Sequence, residues 1–274
     1  MKFYFLGTGS AFTLKNYQTN VLIEENGKFL LIDAGNDIRF SLNNMGFSYK
    51  DIDALFISHL HSDHIGGCEY LAFTTYFDPT CKEKIQLFAN NKLIKLAWMN
   101  TLKGGLESVQ GKVLTLDSYF DVNMIRDNGK FIWQDIKFEI VQSVHIMNGY
   151  SIVPTYGLMI TDPTSKKIFY TGDCQFNPNQ IKDFYNQADF IFQDCETASY
   201  QSGVHAHFSE LSTLSPDIKK KMALIHYQDN VLDESGRVSD QWKKKVDDEG
   251  FNSIGFIEKG QIIDSMFNVY FEVR

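Results

Sequence analysis

The sequence predicts an α+β fold, a four-layer αββα sandwich of two facing sheets with helices outside. Three observations carry that expectation. Short apolar or alternating runs recur along the whole chain and are interleaved with fewer helix-like segments. Some successive runs are joined by little more than a turn and others by a helix, so hairpins and crossovers are mixed. Side chains suited to metal binding repeatedly stand just after strand-like runs, which would gather a dinuclear metal site at one rim of the sandwich.

The elements follow in order. Strands are expected at 2–6, 19–24, 28–33 and 53–58, with a helix near 36–46. The apolar start of the first is too short before Gly7 to form the core of a signal peptide. A helix runs from about 65 to 76, and strands at 85–89 and 112–116 flank a helix at 91–102. The second half continues with strands near 131–144, 156–161, 167–171, 189–194, 222–226 and 254–264. Helices at 178–187 and 209–220 intervene, the latter broken by Pro216. The aromatics between Phe73 and Tyr119 read mainly as core, with a lid or a dimer face as the other reading.

No repeat, linker or low-complexity segment divides the chain, so 1–274 reads as one domain with 43% hydrophobic residues to fill its core. No run of ~18 apolar residues exists, which argues against a membrane span. The four cysteines, Cys68, Cys81, Cys174 and Cys195, form no close pair, which opposes a disulfide scaffold and a cysteine zinc site and suits a cytoplasmic protein. Lys and Arg total 26 against 34 acids, a net charge of −8. Long nucleic acids are held through many basic side chains, so they are poor partners for this chain. Its lysine groups, such as Lys219 to Lys221 and Lys243 to Lys245, read as wet faces of helices or turns.

Chemistry concentrates in His59-Leu60-His61-Ser62-Asp63-His64, which follows the apolar run Ala54-Leu55-Phe56-Ile57. Alternation in an extended chain aims His59 and His61 the same way. Asp63 and His64 begin the next element and can face a second point. Imidazole and carboxylate suit zinc, manganese or iron, and two ions about 3.5–4 Å apart make a hydrolytic site. Three more candidates end strand-like runs: His145, Asp173 and His226. Asp173 has two oxygens and can serve both ions.

Together these residues resemble the metallo-beta-lactamase superfamily: Asp33 in Leu30-Leu31-Ile32-Asp33-Ala34-Gly35, the run from His59 to His64, then His145, Asp173 and His226. The opening Phe5-Leu6-Gly7-Thr8-Gly9-Ser10-Ala11, with Asn20 beyond it, resembles the ribonuclease Z-like branch. The resemblance implies two divalent metal ions, Zn2+ ahead of Mn2+ or Fe. One would sit on His59, His61 and His145, the other on Asp63, His64 and His226, with Asp173 bridging and Asp33 organising the histidine loop. In that branch a His-x-Ser/Thr segment supplies a histidine that assists the leaving group, backed by an acid. His207 of Val204-His205-Ala206-His207-Phe208-Ser209 fits that place, with Asp194 or Glu196 as partner, and His205 competes with it.

The implied activity is a metal-dependent phosphodiesterase. A hydroxide held between the ions attacks phosphorus, Asp63 orients it, and His207 backed by Asp194 protonates the departing oxygen. The chain lacks the basic, Gly/Pro-rich insertion with which tRNA-processing members grip tRNA, so a small phosphodiester such as a cyclic nucleotide suits it better. A ribonuclease Z-type tRNA 3′ endonuclease and a thioester, lactone or lactam hydrolase on the same metals are the alternatives. The resemblance leaves a homodimer open, since members of this branch are often dimeric.

Overall fold

Period-two burial in the strands explains the layering seen in the computed structural model, which describes residues 1–271. In the strand Lys2–Gly7, Phe3 and Phe5 meet Phe192 of the opposite sheet at ring separations of 5.0 and 5.1 Å. Tyr4 points the other way, onto Phe29 and Phe47 under the helix side. Phe190 and Phe192 likewise face inward while Ile191 faces an outer cluster with Ile181 and Tyr185.

One sheet has eight strands in the spatial order Val269–Phe271, Gln261–Asp264, Lys2–Gly7, Asn20–Glu25, Lys28–Ile32, Ala54–Phe56, Ile85–Asn90 and Phe120–Ile125. Its pairings are antiparallel up to Lys28–Ile32 and parallel beyond. The second sheet has six: Met222–Ile225, Phe190–Asp194, Lys167–Tyr170, Thr155–Thr161, Ile136–Ser143 and Lys130–Trp133, the first three mutually parallel. A stack of Phe88, Phe131 and Phe138, spaced 4.4 and 4.6 Å, fills the space between them at one end. Helices Ile38–Asn44 and Cys68–Phe77 lie against the first sheet, and Pro178–Gln187 and Asp240–Glu249 against the second. The result is the expected α+β sandwich. Among the described residues no helix is long and apolar enough to cross a membrane.

Several elements differ from expectation, each for a local reason. The strand expected at 131–144 is a tight hairpin, because Gln134 and Asp135 both take positive φ (47° and 64°), as a two-residue primed turn requires. That expected at 254–264 survives only as Gln261–Asp264, since Gly255 and Gly260 turn the chain at positive φ. The strand at 112–116 shrinks to Lys112–Val113, because Thr115 caps the helix Leu116–Tyr119. After the histidine run, Gly66 and Gly67 separate one turn, Ser62–Ile65, from the helix Cys68–Phe77. The segment 209–220 forms two short helices, Phe208–Leu211 and Pro216–Lys219.

Phe192 is fully buried between the sheets and touches three other phenylalanines. Phe192→Ala is expected to cost roughly 3–5 kcal/mol of stability, read by urea denaturation. A loss below about 1 kcal/mol would mean that the inter-sheet aromatic layer is not what holds the sandwich together.

The candidate ligands all leave the C-terminal ends of strands: Asp33 after Lys28–Ile32, His59 after Ala54–Phe56, His145 after Ile136–Ser143, Asp173 after Lys167–Tyr170 and His226 after Met222–Ile225. One rim of both sheets therefore receives them.

Candidate metal centre

Two of these residues sit in backbone conformations that non-glycine residues rarely adopt. Asp33 has φ 61° and His226 φ 62°. The left-handed turn at Asp33 folds its carboxylate back under the histidine loop. It is held there by Asp33 N–H to Phe56 O, Ala34 N–H to His64 O and Gly35 N–H to Asn20 Oδ1. Gly35 is required at this crossing, since a Cβ would stand 2.4 Å from the carbonyl oxygen of Asp63. His226 is fixed from the far end of the sequence: its N–H donates to Thr8 O at 2.8 Å, and Ser10 N–H donates to Tyr227 O at 3.0 Å. The glycine-flanked Thr8 thus has a positioning task that its sequence did not reveal.

Hydrogen bonds on the outside of the cluster set which ring nitrogens face in. Val204 O can only accept, so His145 Nδ1 donates to it at 2.7 Å and His145 Nε2 carries a lone pair. The Ser58 hydroxyl donates to Asp33 Oδ2 at 2.7 Å, so its oxygen accepts from His59 Nδ1 at 3.0 Å, leaving His59 Nε2 unprotonated. His64 Nδ1 donates to the same Asp33 oxygen at 2.8 Å. Asp33 accordingly organises the loop and contributes no inward donor.

Two sets of inward donors result. His59 Nε2, His61 Nδ1, His145 Nε2 and Asp173 Oδ2 form the first, with separations of 3.0, 3.2, 3.7 and 3.9 Å among them. Asp63 Oδ2, His64 Nε2, His226 Nε2 and the same Asp173 oxygen form the second, at 3.2, 3.2, 3.4 and 3.5 Å. Donors around a tetrahedral ion with bonds of about 2.0–2.1 Å stand roughly 3.3–3.4 Å apart, and the separations here, from 3.0 to 3.9 Å, bracket that spacing. Facing lone pairs at such distances repel, and a cation between them removes that repulsion. His64 Nε2, buried and without a hydrogen-bond partner, faces two carboxylate oxygens. The residues fit a divalent metal.

The charge balance agrees. Burial is the largest influence on every histidine here and disfavours the charged ring. It holds His59 well below its usual value and lowers His61 and His145, which makes them neutral donors. At His64 the carboxylates of Asp173, Asp63 and Asp33 outweigh burial and raise it far above normal. His226 is pushed up to about 10, chiefly by Asp173 against burial. Burial would raise Asp63 and Asp173, yet the adjacent His64 and His226 hold both below the usual carboxylate range. The second set therefore calls for positive charge, which a dication supplies.

Beside the cage stands the Asp194–His205 pair. Asp194 Oδ2 accepts from Cys174 N–H at 2.9 Å and lies 2.8 Å from His205 Nδ1, while Oδ1 faces His226 Nδ1 at 3.4 Å. With Nδ1 on Asp194, His205 has Nε2 left for a ligand. Burial would lower its pKa, but the Asp194 carboxylate prevails and raises it.

His207, the residue the sequence favoured for this place, is elsewhere. It caps the helix Phe208–Leu211: Ser209 N–H donates to its Nδ1, and Nε2 donates to Ala198 O at 2.9 Å. Both ring nitrogens are committed, and the histidine that stands beside the cage is His205. The His-x-Ser pattern here is a helix cap, completed by Glu210 reaching back to His207 N. Glu196 does not back the histidine either; its carboxylate accepts from Ser202 N–H and shapes the loop.

A cleft of ≈ 280 Å³ opens over His205 and His226 between the loop of Ser10 to Thr13 and the segment around Tyr200. A larger cavity of ≈ 440 Å³, lined by Lys28, Lys50 and Asp53, lies toward the opposite, N-terminal ends of the strands and holds none of the donors. Cys68 and Cys174 are buried and burial pushes both thiols up, so they pack beside the cage as neutral groups. Tyr119 donates to Leu106 O and Tyr156 to Asp127, so both belong to the scaffold rather than to a lid.

A family model described as "Anti-Pycsar protein Apyc1" matches residues 1–262. Among individual relatives, an Anti-Pycsar protein Apyc1 of Paenibacillus harenae is 35% identical over 234 residues, covering 85% of this chain and 92% of that protein. Among solved structures, the metallo-beta-lactamase fold protein YhfI of Bacillus subtilis superimposes with a TM-score of 0.70 at 17% identity over 95% of this chain and 98% of that one. A diphosphatase from the PhnP family superimposes with a TM-score of 0.71 at 18% identity, covering 99% of each chain. The fold is thus that of the metallo-beta-lactamases, as the residue pattern implied.

Proposed function

The chain belongs to the Anti-Pycsar protein Apyc1 family, and on that premise we propose that it is a dinuclear, zinc-dependent phosphodiesterase whose substrate is a small cyclic nucleotide. The observation that carries this reading is the Asp194–His205 pair beside the two donor sets. A phosphodiester with a sugar oxygen as leaving group needs a proton delivered to that oxygen, and a raised histidine next to the cage is placed to give it. Hydrolysis of a thioester, which expels a stable thiolate, makes no such demand.

The residues divide the work as follows. His59, His61, His145 and Asp173 would hold one ion, and Asp63, His64, His226 and Asp173 the other. Bound divalent ions supply Lewis acidity toward the phosphoryl oxygens and an activated water. Asp194 keeps His205 protonated at Nδ1 and orients Nε2 toward the cleft. His205 gives its Nε2 proton to the departing oxygen and recovers one from solvent. Asp63 meets His64 and His226 through Oδ2, which leaves its other oxygen to orient the attacking water. The net charge of −8 supports a small free substrate over a long nucleic acid. The four cysteines are free thiols, which suits the cytoplasm.

The test is a substrate panel on zinc-loaded protein: bis(p-nitrophenyl) phosphate, 2′,3′- and 3′,5′-cyclic nucleotides, thioesters and lactones. Turnover of one or more cyclic nucleotides well above the carbonyl compounds is expected. Fully metal-loaded protein that cleaves only thioesters or lactones would overturn the reading.

A further inference from the structure

We propose that Phe12 and Tyr200 form an aromatic clamp that stacks on the planar base of the substrate and so sets specificity at this site. The inference rests on the phosphodiesterase reading above and adds to it where the non-reacting part of the substrate lies. Phe12 is 92% exposed and Tyr200 70%, and both line the cleft that contains His205 and His226. A single exposed aromatic is ordinary on a protein surface. Two from separate loops, at one small cleft beside the donor cage, are not.

The loop that carries Phe12 is built rather than slack. The Asp229 carboxylate accepts from Leu14 N–H at 2.7 Å, from Lys15 N–H at 3.0 Å and from the Thr13 hydroxyl. Thr13 Oγ1 in turn accepts from Asn16 N–H at 3.1 Å, and Ser10 N–H ties the stem to Tyr227 O, next to His226. The Phe12 ring is thereby offered to solvent on a fixed support, so a ligand that covers it does not also have to order the loop.

The rest of the lining names the ligand chemistry. Among the described residues no Lys or Arg borders the cleft, whereas Glu196 and Asp229 do. A second phosphate would be repelled there. An uncharged, flat heteroaromatic ring fits, because base–aromatic stacking needs only a π-face.

The experiment compares cyclic nucleotides with 1,3-propanediol cyclic phosphate, which has the reacting group but no base. Phe12→Ala and Tyr200→Ala are each expected to raise KM for cyclic nucleotides roughly 10-fold, with kcat and the KM of the base-free compound little changed. Phe12→Trp should restore the wild-type KM, and metal content should be the same in all variants because both side chains are exposed. Equal KM changes for both substrates, or none for either, would overturn the clamp while leaving the phosphodiesterase reading intact. Wild type that cleaves neither substrate would overturn both.

Discussion

Asp173→Asn is expected to lower phosphodiester turnover by roughly 10³-fold or more, since it removes charge that both donor sets share. One oxygen of Asp173 stands within 3.2–3.9 Å of four imidazole nitrogens drawn from the two sets. The amide keeps the shape but cannot balance positive charge on either side. Metal content after dialysis against zinc should fall in parallel, measured per chain by elemental analysis. The fold should survive, because the residue sits on the rim and not in the aromatic layer between the sheets. Turnover within about 10-fold of wild type would show that this carboxylate does not organise the centre.

His205→Ala is the second large expectation, and its size should depend on the leaving group. Loss of a general acid typically costs 10²–10⁴-fold, so cyclic nucleotides, which expel a sugar alkoxide, should slow by about that much. Bis(p-nitrophenyl) phosphate expels a stable phenolate and should slow by less than roughly 10-fold. The pH profile supplies an independent sign. His205 must be protonated to act, and Asp194 holds its pKa above the ordinary value. Wild-type kcat for cyclic nucleotides should therefore fall as pH rises through that raised value, and this alkaline limb should vanish in the variant. His207→Ala should keep near-wild-type rates. If His207→Ala were the damaging change and His205→Ala the silent one, the assignment would be reversed.

Why was the donor set legible and the placement of His205 and His207 not? His59, His61, Asp63, His64, His145, Asp173 and His226 each follow an apolar run, and a strand that ends at a rim delivers its next residues there whatever the rest of the fold does. His205 and His207 lie in a segment without regular structure, where direction is decided by contacts that spacing cannot encode. Here a helix cap claimed His207 and a buried aspartate claimed His205. The locks supplied by Val204 O and Thr8 O are backbone groups, which leave no mark on residue type. Two elements escaped for a related reason. The edge strand Phe120–Ile125 buries only its end residues, so it shows no clean alternation. The helix Asp240–Glu249 buries only Val246, so its charged face drowned its periodicity.

The anchoring of His226 by the carbonyl of Thr8 also bears on how the centre comes into being during synthesis. A ribosome releases the donors in the order His59, His61, Asp63, His64, His145, Asp173 and His226. The first set is complete in sequence once Asp173 has emerged, whereas the second waits a further 53 residues (226 − 173) for its last imidazole. At translation speeds of roughly 5–20 residues per second that interval lasts about 3–10 s. A nascent chain can thus present one finished set of ligands while the other is still open. The second set closes only when the strand Met222–Ile225 docks beside Phe190–Asp194 and brings His226 back to the residue-8 turn made at the very start. The order in which the two sets can be completed is therefore that of translation, the three neutral histidines with Asp173 before the set that needs His226.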